Sequence, residues 1–243
     1  MKKEIFISID DTDEIGFPKS TGLLAQEIVE FIEQNFSPCK FISRHQLLLD
    51  DRINYTSHNS SMCFSTKLEP KQKDEVALFI ENHLKTFSAK SAQPAFAIAF
   101  KDEIINIDGF IEFGKKAKEE YISLEEAYNI AKKHNIFLKG IENGFLGAIG
   151  ALAGLALRVY GDDGRVKGQN NLKKDSLSKK ELLSFGFIDD VLDENFAPLS
   201  DDCIVKIKSN IKLIVKNHKA VLLTKKCEDN SYKAYDIDSL RKF

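Results

Sequence analysis

Residues 5–13, with the sequence IFISIDDTD, constrain the fold of this chain more strongly than any other segment. The segment begins with a short apolar run rich in isoleucine, and such a run predicts a buried β-strand. Asp10, Asp11 and Asp13 follow at the C-terminal end of that strand. In open α/β sheets ligands bind outside this end, so the segment predicts a functional site there. An acidic turn with capping duties only is the alternative interpretation.

The close spacing of the three acids also predicts a metal ion. Like charges at such short range repel each other, and a bound cation relieves that repulsion. Carboxylate oxygens are ligands that Mg²⁺ prefers, and Mg²⁺ is commonly bound together with substrate phosphates. We therefore expect Asp10, Asp11 and Asp13 to hold Mg²⁺ and, through it, a phosphate group.

The residues after the acids predict a loop followed by a helix. Gly16 and Pro18 interrupt regular structure, and Ser20 and Thr21 stand where a helix should begin. Beyond them, apolar residues recur at helical spacing, namely Leu24, Ile28, Phe31 and Ile32. A helix N-terminus favours an anion, so Ser20 and Thr21 are expected to cap the helix, to contact a phosphate, or to do both. A P-loop is excluded, because the sequence contains no GxxxxGK[ST] motif.

The composition narrows the class of protein. A chain of 243 residues with 43% hydrophobic residues and 18 Phe can build one large domain or two small ones. The net charge of −2 argues against a dominant, sequence-independent nucleic-acid surface. The four cysteines include no CxxC pair, which indicates reduced thiols rather than a zinc site.

The localisation is expected to be cytoplasmic. Met1 leads directly into the first strand without a signal peptide, and the most apolar segment, residues 145–157, is too short to span a bilayer. No membrane partner is therefore expected. The sequence leaves the oligomeric state open, a homodimer included.

The order of the remaining elements predicts a mixed α/β (α+β) fold. Apolar patterns predict strands at 40–49, 61–68, 95–100 and 136–139, helices at 71–84 and 124–134, and an irregular stretch between residues 100 and 124. We interpret residues 61–139 as a ferredoxin-like unit inserted into a domain made of residues 1–60 and 140–243. The C-terminal part is expected to be β-rich, with strands at 204–207, 211–215, 220–224 and 232–237.

Residues 144–160 predict an apolar helix with one face of small residues, including Gly147, Gly150 and Gly154. A glycine in a helix interior costs roughly 1 kcal/mol relative to alanine, so some interaction should compensate. Two interpretations stay open. The face could allow tight packing of the helix on a sheet, or the helix could begin at Asn143 and Gly144 and face a bound nucleotide.

These motifs together resemble the N-terminal half of archaeal tRNA-isoleucine agmatinylcytidine synthetase. The resemblance covers about residues 4–160 and rests on four motifs in the family's order, namely IDDTD at 9–13, Ser20 with Thr21, Thr56 with Asn59, and GAIGALAG at 147–154. It implies a kinase-like α/β domain that carries an inserted ferredoxin-like domain. It also implies an enzyme, a phosphotransferase or ligase, that uses ATP and Mg²⁺ to activate a carbonyl or hydroxyl group.

The resemblance implies roles for individual residues. Asp10, Asp11 and Asp13 would hold metal and phosphates, and Asp10 and Asp11 would be catalytic. Ser20 and Thr21 would occupy the place of the family's phosphate-accepting hydroxyl. Contacts to the cofactor are implied for Thr12, Asp13, Thr56, Asn59, Asn143, Gly144 and Gly147. The acceptor would be a small molecule or an RNA.

The sequence departs from the family in two motifs. Lys19 precedes Ser20 and Thr21, where the family has a cysteine before two threonines. The loop at residues 55–60 lacks the family's arginine. We also do not expect the OB-fold and the zinc ribbon with which the family grips tRNA. The resemblance therefore supports shared ATP chemistry more than a shared tRNA substrate.

Two other functions stay open on the sequence. A phosphatase of the haloacid-dehalogenase type also uses a strand that ends in DxD, which Asp11 and Asp13 match, and its distal acids would be Asp162–Asp163 or Asp189–Asp190. A non-catalytic nucleotide- or RNA-binding module would instead use basic residues, namely Arg158, Arg165, Lys167, Lys173 and Lys174.

Overall fold

The computed structural model describes residues 1–53, 55, 58–141, 145–207, 210–240 and 243. The chain forms two compact units, unit 1 (Met1–Tyr160) and unit 2 (Gly161–Phe243). Three predicted site residues, Thr56, Asn143 and Gly144, lie outside the described residues.

Unit 1 alternates strands and helices. Its strands are β1 (Lys3–Asp10), β2 (Ser43–Gln46), β3 (Ser60–Leu68), β4 (Ala95–Phe100) and β5 (Phe137–Gly140). Its helices are α1 (Thr21–Asn35), α2 (Lys73–Phe87), α3 (Ile107–Glu119), α4 (Leu124–Lys133) and α5 (Gly147–Tyr160), with short 3-10 turns at Pro70–Gln72 and Lys101–Glu103. The expected mixture of helices and strands is confirmed.

The strands of unit 1 lie in the order β5-β4-β1-β3-β2, and each neighbouring pair is antiparallel. The rule that ligands bind outside the C-terminal ends of the strands in open α/β sheets therefore does not apply to this antiparallel sheet. The acids nevertheless follow its central strand. Residues 61–139 contribute β4, β5 and most of β3 to the sheet that contains β1. These strands hydrogen-bond directly or through one another to β1, so residues 61–139 share a sheet with the residues before them, and their division into a ferredoxin-like inserted unit stays a prediction.

The central strand β1 is buried on both faces, which explains its nearly continuous apolar sequence. Ile5, Ile7 and Ile9 pack with α1 and α2 on one face. Phe6 belongs to the core on the other face, which is built largely from α3, α4 and α5. Antiparallel sheets often expose one face to water, but here helices cover both faces.

Helix α3 was not expected, since residues 101–123 were interpreted as irregular. The helix has an N-cap, because the side chain of Asn106 accepts a hydrogen bond from the Gly109 N–H. Phe110, Phe113 and Ala117 lie on its buried face. Their helical spacing is the sequence signal that could have identified α3.

Unit 2 is rich in short strands, as expected. The strands are β6 (Arg165–Val166), β7 (Ser176–Ser178), β8 (Asp190–Leu192), β9 (Ile204–Lys206), β10 (Ile214–Lys216), β11 (Lys219–Lys226) and β12 (Tyr232–Ala234). They are joined by helix α6 (Lys179–Leu183) and by a 3-10 turn at Ile237–Leu240. Strands β10, β11, β12, β9 and β7 pair in that order, and β8 adds to β11 in parallel. In the described part of the chain, no helix combines the length and apolar character that a membrane span requires.

Candidate active site

A cleft of about 490 Å³ opens where β1 ends, and all its described lining residues belong to unit 1. Its volume is in the range of small-molecule binding sites. The structure brings most of the predicted site residues to this cleft, namely Asp10, Asp11, Asp13, Ser20, Thr21, Asn59 and Gly147. These residues come from the ends of β1, α1, α5 and the segment before β3, so the sheet and its helices position the site together.

Asp10 is the last residue of β1 and is only 9% exposed. Burial, together with the neighbouring Asp11 carboxyl, raises the pKa of Asp10 to about 8, and Asp13 acts in the same direction. Ionisation of Asp10 is therefore unfavourable unless a cation compensates its charge.

Asp11 turns the chain out of the strand, because its backbone adopts a left-handed conformation with φ of 53°. Its carboxylate accepts a hydrogen bond from the Gln93 N–H at 3.3 Å. Burial raises the pKa of Asp11 and the nearby Asp13 adds to the rise, although the Gln93 N–H opposes it. Asp11 is thus a second carboxyl group at the cleft whose negative charge the chain compensates only in part.

Asp13 has a different environment, because it lies at the N-terminus of α1. Its carboxylate accepts the Thr21 N–H at 3.1 Å, which is favourable next to the positive end of a helix dipole. Ser20 is the N-cap residue, and its hydroxyl accepts the Leu23 N–H at 3.2 Å. The capping role of Ser20 is therefore confirmed, and both Ser20 and Thr21 also line the cleft.

Thr12 supports the site from below the cleft surface. Its side chain is fully buried, and its hydroxyl lies 3.0 Å from the Thr21 hydroxyl in a hydrogen bond. This bond joins the acidic turn to the first residue of α1. A direct contact between Thr12 and a cofactor stays a prediction, because Thr12 does not line the cleft.

The small-residue face of α5 packs directly on the sheet. A Cβ atom added at Gly150 would overlap the Asp10 carboxylate oxygen Oδ2, and one at Gly154 would overlap the Ser61 hydroxyl. A Cβ at Gly147 would lie 2.7 Å from the Gln93 carbonyl oxygen and 2.9 Å from that of Asp10. Tight packing thus accounts for the glycines, and it also brings the first turns of α5 against the acids.

Asn59 anchors the connection between β2 and β3. Its side-chain amide donates to the Leu48 carbonyl oxygen at 2.7 Å, and its backbone carbonyl oxygen accepts the Leu47 N–H at 2.8 Å. Asn59 therefore shapes the wall of the cleft. Its predicted contact with a cofactor is not tested by these bonds.

Sequence reasoning missed several charged and aromatic residues that line the cleft, namely Arg44, Tyr55, His58, Glu120 and Tyr121. Glu120 and Tyr121 come to the cleft directly after α3, so the failure to predict this helix concealed them. Arg44 lies in β2, where alternation could have predicted its face of the sheet but not its proximity to β1.

The donor chemistry of the cleft fits Mg²⁺ bound together with phosphates. Within the part of the chain that the structure describes, no three His, Cys, Asp or Glu side chains are grouped so as to hold a metal ion by themselves. Mg²⁺ usually takes only one or two protein carboxylates and completes its shell with water and substrate phosphates. The carboxyl groups of the buried Asp10 and the partly buried Asp11 meet that requirement. The complete set of Asp10, Asp11 and Asp13 stays a prediction.

The acids required by the phosphatase alternative belong to unit 2 and have local partners. Asp162 accepts hydrogen bonds from Lys216 and from the Asn217 N–H. Asp190 forms an ion pair with Lys179 at 3.0 Å, and Asp189 accepts the Ala220 N–H. These contacts account for the acids as structural groups, and no observation favours the phosphatase.

One of the basic residues that the binding-module alternative requires does not lie at the surface. Arg158 is 1% exposed, and its guanidinium lies 4.2 Å from the centre of the Phe41 ring. A side chain so deeply buried within unit 1 is a core residue rather than a surface contact for phosphates.

Comparison with known proteins relates this fold to that of a tRNA-acting enzyme. The enzyme is TiaS, a tRNA agmatidine synthetase. The complex of TiaS with tRNA and ATP superposes with a TM-score of 0.55 and 20% identity, covering 63% of this chain and 36% of that one. The complex of TiaS with tRNA, AMPCPP and agmatine superposes with a TM-score of 0.54 and 16% identity. The match covers 75% of this chain and 44% of the TiaS chain. The predicted resemblance is confirmed at the level of the fold.

In sequence, the chain is similar to the uncharacterized protein MJ0921 of Methanocaldococcus jannaschii. The two are 31% identical over 162 residues, which make up 65% of this chain and 51% of that protein. No family model matches the chain. The chain thus spans about half the length of this curated relative and a smaller share of the TiaS structures.

Proposed function

We propose that unit 1 is an ATP- and Mg²⁺-dependent enzyme, a phosphotransferase or ligase, that activates a carbonyl or hydroxyl group of a small-molecule or RNA acceptor. One observation carries the proposal. In a fold shared with an enzyme solved in complex with ATP, two carboxyl groups with raised pKa values, the buried Asp10 and the partly buried Asp11, line the cleft at the end of the central strand. Clefts that contain carboxyl groups perturbed in this way are candidate catalytic sites.

The residues of the cleft divide the work of such a reaction. Mg²⁺ would neutralise phosphate charge and align the nucleotide when it is bound. Asp10 and Asp11 supply the carboxylate oxygens that would hold the ion, and α5 fixes the position of Asp10 through the contact at Gly150. Asp13 and Ser20 hold the N-terminus of α1 in place, so that Thr21 lies in the cleft wall while its hydroxyl is bonded to that of Thr12.

The cleft offers a second environment next to the acids. Leu47, Ile53 and Ile122 provide apolar walls, and Tyr55 and Tyr121 add aromatic rings. An apolar and aromatic wall next to carboxylates suits a ligand with a flat, weakly polar part and a charged part. A nucleotide has this character, which supports ATP as the bound nucleotide.

The test is turnover of ATP by the purified chain with Mg²⁺, with and without small-molecule and RNA extracts. The Asp10→Asn variant keeps the shape of the side chain but removes its charge. We expect it to lower ATP turnover at least a hundredfold while the protein stays folded. The Asp74→Asn variant is the matched control, because Asp74 is exposed on α2, and it should retain wild-type turnover.

The outcomes separate the competing functions. Formation of ADP or AMP that depends on Asp10 and on one of the two extracts would support the proposal and would identify the class of acceptor. Binding of ATP without turnover in any mixture would contradict the enzyme and would favour a binding module. Turnover that is unchanged in Asp10→Asn would contradict the assigned role of the cleft.

A further inference from the structure

The cleft contains a marked imbalance of charge. Four carboxyl groups line it, those of Asp10, Asp11, Asp13 and Glu120. Among the described lining residues, Arg44 carries the only guanidinium or ammonium group. A phosphate chain that enters such a cleft meets repulsion from the acids, so a fixed cation has a large effect on where the phosphates can lie.

The strand order places Arg44 two strands away from the residue that precedes the acids. The register aligns Arg44 in β2 with Met62 in β3, and Met62 with Ile9 in β1. Neighbouring strands are about 4.8 Å apart, so the backbone of Arg44 lies about 10 Å from that of Ile9, the residue before Asp10. A long arginine side chain and a polyphosphate can together bridge this distance.

A hydrogen bond orients the Arg44 side chain. Its Nε–H group donates to the Ser60 hydroxyl at 2.8 Å, and both residues lie on paired strands. This contact ties the Nε side of the guanidinium to β3, and both residues line the cleft. Guanidinium groups bind phosphate oxygens in a bidentate manner through a rigid fork of N–H groups, which a lysine ammonium cannot reproduce.

We propose that Arg44 is a phosphate-binding residue, which holds the polyphosphate of the nucleotide from β2 in the cleft that Asp10 and Asp11 also line. The proposal rests on the proposed ATP-dependent function and names a residue that the sequence motifs do not include. Mg²⁺ at the acids and Arg44 on β2 would then hold the phosphate chain at two points. Ser60 is a positioning residue in this arrangement, because it acts through Arg44.

The experiment measures equilibrium binding of Mg-ATP and of inorganic tripolyphosphate by calorimetry. The proteins are the wild type, Arg44→Gln, Arg44→Lys and Lys71→Gln. Loss of a charge-assisted hydrogen-bonded contact should weaken Mg-ATP binding by Arg44→Gln about tenfold to hundredfold. Arg44→Lys should lie between this variant and the wild type. Lys71→Gln removes a positive charge from an exposed side chain outside the cleft and should bind like the wild type.

The two probes separate failure of this proposal from failure of the proposed function. If the wild type binds Mg-ATP and Arg44→Gln binds it equally well, the role of Arg44 is wrong and the ATP-dependent function stands. If the wild type binds tripolyphosphate through Arg44 but does not bind ATP, the phosphate contact stands and the ATP-dependent function is wrong. If the wild type binds neither probe, both proposals are wrong. Thermal unfolding of Arg44→Gln, expected to match the wild type, shows that any loss of binding is not a loss of fold.

Discussion

Two aspartates, the buried Asp10 in the cleft of unit 1 and the partly buried Asp162 at the start of unit 2, have opposite electrostatic surroundings. Burial and the adjacent Asp11 raise the pKa of Asp10 to about 8. Burial opposes ionisation of Asp162 too, but hydrogen bonds from Lys216 and the Asn217 N–H, both 2.6 Å long, lower its pKa overall. The chain therefore compensates the charge of Asp162 and leaves that of Asp10 for a ligand to compensate.

Asp13 shares one feature with each of these two acids, its place in the cleft with Asp10 and a hydrogen bond from a backbone N–H with Asp162. It lines the same cleft as Asp10, yet its carboxylate accepts a helix N–H group, as a capping residue does. Proximity in the sequence thus conceals a difference in role. An acid whose charge the chain compensates stabilises the fold, whereas a buried acid whose charge is not compensated lowers stability and is a candidate functional group.

The largest expected effect comes from crowding Asp10. In Gly150→Ala the added methyl group overlaps the Asp10 carboxylate, and in Gly154→Ala it overlaps the Ser61 hydroxyl instead. Both changes overpack α5 on the sheet and should cost about 1–3 kcal/mol in the free energy of unfolding. Only Gly150→Ala should also abolish ATP turnover, measured under conditions where both variants stay folded. Equal turnover in the two variants would contradict the special role of the contact with Asp10.

A smaller effect is expected from Asp162→Asn. Since the folded pKa is lowered, the stabilisation by ionised Asp162 is fully present above the unfolded pKa of about 3.9 and is lost as the pH falls through the folded value. Asp162→Asn should therefore lower the free energy of unfolding by about 1.5 kcal/mol at pH 7. Urea unfolding at pH 7 and at pH 3 should show this difference shrink at the lower pH. A difference that does not depend on pH would show that the ion pair contributes little.

The caps of α1 should have a smaller effect still. Asp13→Ala and Ser20→Ala each remove an acceptor for an N–H group at the helix N-terminus and should cost about 1 kcal/mol. Ser123→Ala removes the equivalent cap of α4 at a residue that does not itself line the cleft, and is the matched control. All three variants should lose similar stability in urea unfolding, and only those in α1 should change the KM for ATP. A changed KM in Ser123→Ala would show that the change in KM results from a general loss of stability rather than from the position of α1.

The smallest expected change in stability is that of Asp10→Asn. Replacing a buried carboxyl group by an amide of the same shape removes a group that is costly to ionise, so the free energy of unfolding should stay equal or rise slightly. Urea unfolding of Asp10→Asn and of Asp162→Asn under the same conditions compares the free energies of unfolding of the two variants directly. A clear loss of stability in both variants would show that the two acids are equally structural and would remove the contrast between them.

Much of the fold was predictable, because its elements depend on local patterns. The apolar run before Asp10 forms β1, Ser20 begins α1, and residues 95–100 form β4 as expected. Helix α3 was missed although its apolar spacing was visible. The order of the strands in the sheet was not predictable, because strand pairing depends on contacts between residues far apart in the sequence.

The candidate site was predictable in part for the same reason. Asp10, Asp11, Asp13, Ser20 and Thr21 lie in one short segment, so the sequence alone places them together. Arg44 and Tyr121 are far from that segment in the chain and reach the cleft only through the sheet and through α3. No local pattern contains that information.

The sequence by itself determined a buried strand that ends in acids, a capped helix after it, and a glycine-bearing helix near residue 150. Hydrophobic periodicity and capping preferences are local properties, and they are sufficient for these elements. Only the tertiary structure decided that the sheet is antiparallel, that Gly150 lies against Asp10, and that Arg44 lines the same cleft as the acids. It also decided which aspartates have partners, because burial and hydrogen bonding depend on neighbours that the fold brings from distant parts of the chain.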